Sequence, residues 1–182
     1  NLVFHTALVG ILVTVGIGGG FSYTGQRVLV QDTTFTNTLG GYDSFNPGRF
    51  FDESQLQPYA LRLDDFTPTY VFDAGKGGTW DPTDFDASLS YRTPGGDWQP
   101  ITLKVNSPLQ LGGTEVYLLG NGFAPTLTIR DPSGKIVQSD PIPYLPQNAN
   151  LFSQGIVKVP DGLAQQLGMI ALFYPTPVDT TS

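Results

Sequence analysis

The first twenty or so positions and the remainder of the chain follow different rules. Residues Leu2 to Phe21 read LVFHTALVGILVTVGIGGGF, and no charged residue appears before Arg27. That length of apolar and small residues is what a helix needs to cross a bilayer. His5, Thr6 and Thr14 are its only side chains that form hydrogen bonds. Gly16 and Gly20 have the small-x-x-x-small spacing that lets helices in a membrane approach closely. Gly18, Gly19 and Gly20 predict that the helix ends or loosens there, and Phe21 and Tyr23 follow at a plausible interface depth. A buried core strand or helix, or the apolar part of a signal peptide, are the competing readings. Length and lack of charge favour a transmembrane helix over residues 1–22.

Beyond it the periodicity changes to two. Tyr59 to Phe66 alternates like a half-buried strand, and Thr69 to Asp73 forms a second short run. Phe85, Ala87, Leu89 and Tyr91 share one face. Pro94-Gly95-Gly96-Asp97 then turns the chain into Ile101 to Val105, which predicts a hairpin. Arg27 to Gln31, Glu115 to Leu119 and Met169 to Tyr174 predict further strands. Leu39 to Phe51 predicts a loop, and Asn121-Gly122 a turn. Leu127 to Arg130, Asp131-Pro132-Ser133-Gly134 and Lys135 to Gln138 predict a second hairpin around a type I turn. Asp140 to Pro146 predicts extended, irregular chain. Only Leu163 to Leu167, between Asp161 and Gly168, predicts a helix outside the amino-terminal run. The expected fold class is therefore mainly β, a β-sandwich or open-barrel-like domain over 23–182, preceded by one apolar helix.

Composition narrows the function. The 182 residues carry 22 Gly and 15 Pro with 12% aromatics, which fits a turn-rich β domain and neither a helical bundle nor a disordered chain. Net charge is -7, which argues against nucleic acid and against anionic lipid surfaces. There is no Cys, and His5 is the single His. Thiol catalysis and Cys-based or multi-histidine metal sites are thereby excluded. No catalytic residue and no metal site is expected.

Several groups remain as candidates. An imidazole in an apolar span is costly unless it pairs, lines a cavity or binds something, and neutral imidazole is a common haem ligand. A His bonded to a nearby carbonyl is the plainer alternative. Asp73, Asp81, Asp84 and Asp86 supply hard oxygens of the kind that hold calcium, without any EF-hand spacing. A solvated acidic loop explains them more simply. Asp64 and Asp65 are adjacent on a strand and point to opposite faces, which disfavours a glycosidase pair. Tyr42, Phe45, Phe50, Phe51, Tyr59, Phe66, Tyr70, Phe72 and Trp80 offer either a flat binding face or ordinary core packing, and packing is the better reading.

The order of several short motifs resembles the ResB family of cytochrome c biogenesis proteins (system II), of actinobacterial type. The similarity begins at Phe4-His5 and runs through Tyr23-x-Gly25 and Val28 to Val30. It continues through Tyr42-Asp43-x-Phe45-x-Pro47-Gly48-Arg49 and Leu63-Asp64-Asp65-Phe66. The most telling piece is Lys104-Val105-Asn106-x-Pro108-Leu109, followed by Gly113, Val116-Tyr117 and Gly120-x-Gly122-Phe123-Ala124-Pro125. Pro146-Gln147-x-Ala149-Asn150 and Gln166-Leu167-Gly168 close it.

The resemblance implies a third membrane span over 1–22, truncated at its start, and an extracytoplasmic domain over 23–182 that continues past Ser182. It implies residence in the plasma membrane and work with a multi-spanning haem-handling partner of the ResC or CcsA type. Together they would export haem and attach it to apocytochrome c. His5 matches the membrane histidine thought to help ligate haem, shared with the partner and near the inner leaflet. The chain would be a non-catalytic or co-catalytic subunit of a haem lyase, because the partner's aromatic-rich motif with flanking histidines is absent. Haem is not expected in the isolated outer domain, nor is nucleic acid a partner. The alternatives are a membrane-anchored extracytoplasmic β-sandwich binding module and an anchored hydrolase.

Overall fold

Helix α1, Leu2–Phe21, opens the chain and carries no charge and no amphipathic face. The computed structural model describes the backbone of residues 2–73, 79–148 and 150–175. Within these, the side chains of residues 2–5, 70, 72, 73 and 79–84 lie outside the described set. The described side chains of α1 are exposed almost throughout, among them Leu12 at 65% and Val15 at 68%. Thr14 donates its hydroxyl to the carbonyls of Gly10 and Ile11, both at 3.0 Å, so this hydroxyl is satisfied within the helix. Among the described residues no helix is long and apolar enough to cross a membrane. The described side chains run only from Thr6 to Phe21, short of the roughly 20 residues that a span takes. The structure thus establishes the helix expected over 1–22, and not its crossing of a bilayer.

The three glycines do not end this helix. It runs to Phe21, and its last turn is closed from outside. Phe50 N–H donates to Gly20 O at 2.7 Å and Gly48 N–H to Ser22 O at 2.8 Å, while the helix's own bonding ends with Ser22 N–H on Gly18 O at 3.0 Å. Helix ends leave carbonyls without partners, and here a loop supplies the donors. Gly48 can do this because it has no side chain: an added Cβ would lie 2.4 Å from Gly20 O.

The chain forms two compact units, both built largely from strands. The first comprises residues 1–64, 88–102 and 109–116. In it β1, Tyr23–Gln26, pairs antiparallel with β3, Ser44–Pro47. Strand β2, Thr34–Thr36, lies along β4, Ala60–Asp73, with Phe35 opposite Leu61. The four-stranded sheet continues through β5, Thr79–Arg92, to β6, Gln99–Lys104, in the order β2-β4-β5-β6. Residues 65–73 of β4, 79–87 of β5 and 103–104 of β6 belong to the second unit. Strands β7, Leu109–Leu111, and β8, Thr114–Val116, form a tight hairpin. Its two loop residues, Gly112 and Gly113, have φ of 56° and 81°, the left-handed pair that a two-residue hairpin needs. The core of this unit is Phe35, Tyr59, Leu61 and Leu111.

The second unit comprises residues 65–87, 103–108 and 117–182. Strands β9, Thr126–Arg130, and β10, Ile136–Pro141, form the predicted hairpin. Asp131 Oδ1 accepts from Ser133 N–H at 2.8 Å and Lys135 N–H at 3.0 Å, and Gly134 takes φ 88°. The Ser133 hydroxyl, foremost, holds the Asp131 carboxyl below its usual range. Strands β11, Tyr144–Pro146, β12, Ser153–Val159, and β13, Leu167–Phe173, make a three-stranded sheet. Along β12 every second residue is buried, and Val157 and Val159 join Ile142 and Tyr144 in the core.

The mainly β class holds, and the described strands fall into five sheets, none closed into a barrel. Further local expectations fail. Residues 27–31 are not a strand, because Asp43 takes Arg27 through its guanidinium and the N–H of Val28, each at 2.7 Å. The expected 39–51 loop contains β3. Residues 163–167 are not helical: five residues cannot offset the cost of helix nucleation, and Gly162 just before them has φ 87°. Asn121-Gly122 forms no turn. Instead the chain just after it bridges to β11, where Phe123 and Tyr144 exchange backbone hydrogen bonds at 3.2 and 2.7 Å.

Candidate functional site

At the foot of α1 stands a block of rings. Tyr23 in β1 lies 5.3 Å from Phe45 and 5.4 Å from Phe51, centroid to centroid. Tyr42 lies 5.0 Å from Phe35 and 5.2 Å from Phe45. Phe50 meets Phe21 of the helix at 5.4 Å. Tilted and edge-on pairs at these separations are favourable beyond the area they bury. The β1–β3 pairing explains the assembly, since it sets Gly25 opposite Phe45 and leaves Gly25 bare beneath the Tyr42 ring.

The hydroxyls of this block are tied down. Tyr42 donates to Asn37 Oδ1, in a short bond. Asn37, 3% exposed, donates through Nδ2 to Gln57 O at 2.8 Å and through its N–H to Tyr59 O at 2.9 Å. The Tyr23 hydroxyl is 2.8 Å from Thr114 Oγ1. Burial first, and the neighbouring Tyr23 next, push the Tyr59 hydroxyl up to about 12. Burial, then Tyr59 and Tyr23, raise Tyr42 further. Such groups stay neutral at any ordinary pH. The block is a rigid support and has no acid-base chemistry to offer near neutrality.

That support holds α1 at one end, and His5 lies near the other. At 1.5 Å per residue the imidazole-bearing position stands about 22 Å from Gly20. The side chain of His5 lies outside the described residues. Chemically it offers one neutral nitrogen donor, enough for one axial haem ligand and no more. Among the described residues there is no cluster of potential metal ligands.

The other sequence candidates separate. Tyr42, Phe45, Phe51 and Tyr59 come together, joined by Tyr23 and Phe35, as packing and not as a flat face. Phe66 lies by Phe85, at 6.2 Å. The side chains of Tyr70, Phe72, Trp80, Asp73, Asp81 and Asp84 lie outside the described residues. Asp86 is paired with Lys104 at 3.0 Å. Asp64 and Asp65 hold different partners: Asp64 takes Arg62 Nε at 2.6 Å and the Ser90 hydroxyl at 2.5 Å, and Asp65 takes the Thr67 hydroxyl. The Ser90 bond, then Arg62, lowers the Asp64 carboxyl.

Two surfaces escaped the sequence reading. Arg62 and Arg92 both stack on Trp98, at 4.9 and 4.5 Å from the ring. The β11–β13 sheet exposes Leu145, Ile156, Ile170 and Leu172, with Ile156 directly opposite Ile170. The burial alternation of β12 marks which of its residues face out, but only once the strand is known.

The model of the ResB-like family matches residues 1–182. No curated protein and no solved structure matches the chain.

Proposed function

The chain belongs to the ResB-like family, which is associated with cytochrome c biogenesis, and from that premise we propose that it is a membrane subunit of haem delivery to apocytochrome c. Helix α1 spans the membrane, and the β-rich remainder stands on the extracytoplasmic side. The observation that carries this reading is the 20-residue helix itself. It is apolar on all sides, and an all-round apolar helix belongs in a protein core or a bilayer. Its exposed side chains exclude the core. At 1.5 Å per residue it is about 30 Å long, the thickness of the hydrocarbon layer. Thr14 has no unmet hydrogen bond to keep it out of lipid.

Haem is cargo in this scheme. His5 supplies one imidazole to it, and a second ligand and most of the pocket come from a multi-spanning partner of the ResC or CcsA type. The aromatic block fixes the helix against the outer domain, so His5 is carried at a set depth. The chain has no thiol, so the apocytochrome's own thiols must be kept reduced by other proteins. The chain acts as scaffold and haem-site partner, a subunit of a lyase and not a lyase alone.

The test is the absorbance spectrum of the tagged full-length protein, purified in detergent with its co-expressed partner. Wild type is expected to carry haem. His5→Ala is expected to copurify with the partner at equal yield and to lose most of the Soret absorbance. Unchanged haem in that variant would make His5 structural. No partner and no haem would favour the anchored binding module.

A further inference from the structure

The first unit holds a cationic site in an acidic chain. Arg62 on β4, Arg92 at the end of β5 and Trp98 just before β6 are brought together by strand order alone. Both guanidinium carbons lie within 5 Å of the half-buried indole. Cation–π stacking at such distances orders a guanidinium in advance of any ligand.

The two arginines differ in what they have left to offer. Arg62 is neutralised by Asp64 at 2.6 Å, and Asp64 is itself fixed by the Ser90 hydroxyl at 2.5 Å. Among the described residues Arg92 forms no ion pair, and Asp97, next to the indole in sequence, pairs with neither guanidinium. Asp84, further along Arg92's own strand, is about 26 Å away at 3.3 Å per residue. The Arg62–Asp64–Arg92 group therefore carries one uncompensated positive charge beside a flat apolar ring.

We propose that Trp98, Arg62 and Arg92 form a recognition site for a single carboxylate on a protein partner, with Arg92, held in place on the indole, receiving the carboxylate. A guanidinium fork matches a carboxylate with two parallel hydrogen bonds. One net positive charge balances a monoanion. A phosphate dianion would add unbalanced negative charge to a chain already at -7. The site does not depend on haem or on His5.

The probe is the peptide N-acetyl-Leu-Glu-Leu-amide, titrated into the full chain in neutral detergent. The readout is the Trp98 indole N–H signal in nuclear magnetic resonance spectra, assigned with Trp98→Phe. The expected result is a saturable shift of that signal. The Gln analogue of the peptide, and Arg92→Gln with the native peptide, should each bind about tenfold more weakly, the loss typical of one charge-assisted hydrogen bond. Arg92→Lys should bind nearly as weakly, because it keeps the charge and loses the fork. Unshifted signals elsewhere in these variants show that the fold is kept. Equal binding of the Glu and Gln peptides would overturn the proposal, as would no saturable shift. Displacement of the peptide by equimolar inorganic phosphate would reassign the site to phosphate.

Discussion

Gly48→Ala is expected to detach the 48–50 loop from the end of α1, at a cost of about 3 kcal/mol. The added Cβ would sit 2.4 Å from Gly20 O, 2.5 Å from Gly19 O and 2.8 Å from Gly20 C. All three atoms are backbone, so no rotamer change relieves the clash. Moving the loop away breaks the bonds from Gly48 N–H to Ser22 O and from Phe50 N–H to Gly20 O. Each is worth about 1 kcal/mol when made and more when a buried partner is left without one. Urea unfolding of the outer region in detergent measures the loss, and hydrogen exchange at the Ser22, Gly48 and Phe50 amides locates it. Gly40→Ala is the control, because nothing lies within 4 Å of its added Cβ; it should stay within about 0.5 kcal/mol of wild type. Equal midpoints for the two variants would mean that the loop does not hold the helix.

Asn37→Leu should cost a similar amount, by a different route. Asn37 is the one side chain that joins the Tyr42 hydroxyl to the Gln57 carbonyl, and it is buried. Leucine leaves both groups unpaired, at about 1–3 kcal/mol each. Adding Tyr42→Phe removes one of the orphans, so the double variant should recover part of the loss. Purely additive losses would show that the two residues are not coupled. The same block predicts alkaline unfolding. Tyr59 and Tyr42 have folded-state values above the ordinary 10, so the folded state binds their protons more tightly than the unfolded chain does. Their contribution is full below pH 10 and falls as pH rises from about 10 through 12. Tyrosinate absorbance should show these rings ionising last, together with loss of the fold. In Asn37→Leu the transition should move to lower pH.

What the sequence made legible follows from how local each cause is. The 131–134 turn was readable because its Asp, Pro and Gly carry the turn chemistry within four residues. The amino-terminal helix was readable for the same reason, from an unbroken apolar run. The Gly112-Gly113 hairpin is equally local, yet its strands are three residues each, and Leu109–Leu111 is too short to show an alternation. The role of Gly18 to Gly20 was not local at all. Those residues look like a helix stop, and Gly20 instead leaves room for the Phe50 ring thirty positions later, 2.8 Å from where its Cβ would sit. Val28 to Val30 has strand-like composition, but the Asp43 carboxylate claims the Val28 amide. Trp98 and its two arginines are linked only through the register of three strands, which no window of sequence contains.

The central claim is that this chain serves covalent attachment of haem to cytochrome c. The direct measurement is haem-stained denaturing gel electrophoresis of membranes from cells in which the gene for the chain has been deleted and then restored. The account predicts that the c-type cytochrome bands disappear on deletion, while non-covalently bound haem proteins keep their spectra. The wild-type gene should restore the bands, and the His5→Ala gene should restore them only weakly. Undiminished c-type bands in the deletion strain would contradict it.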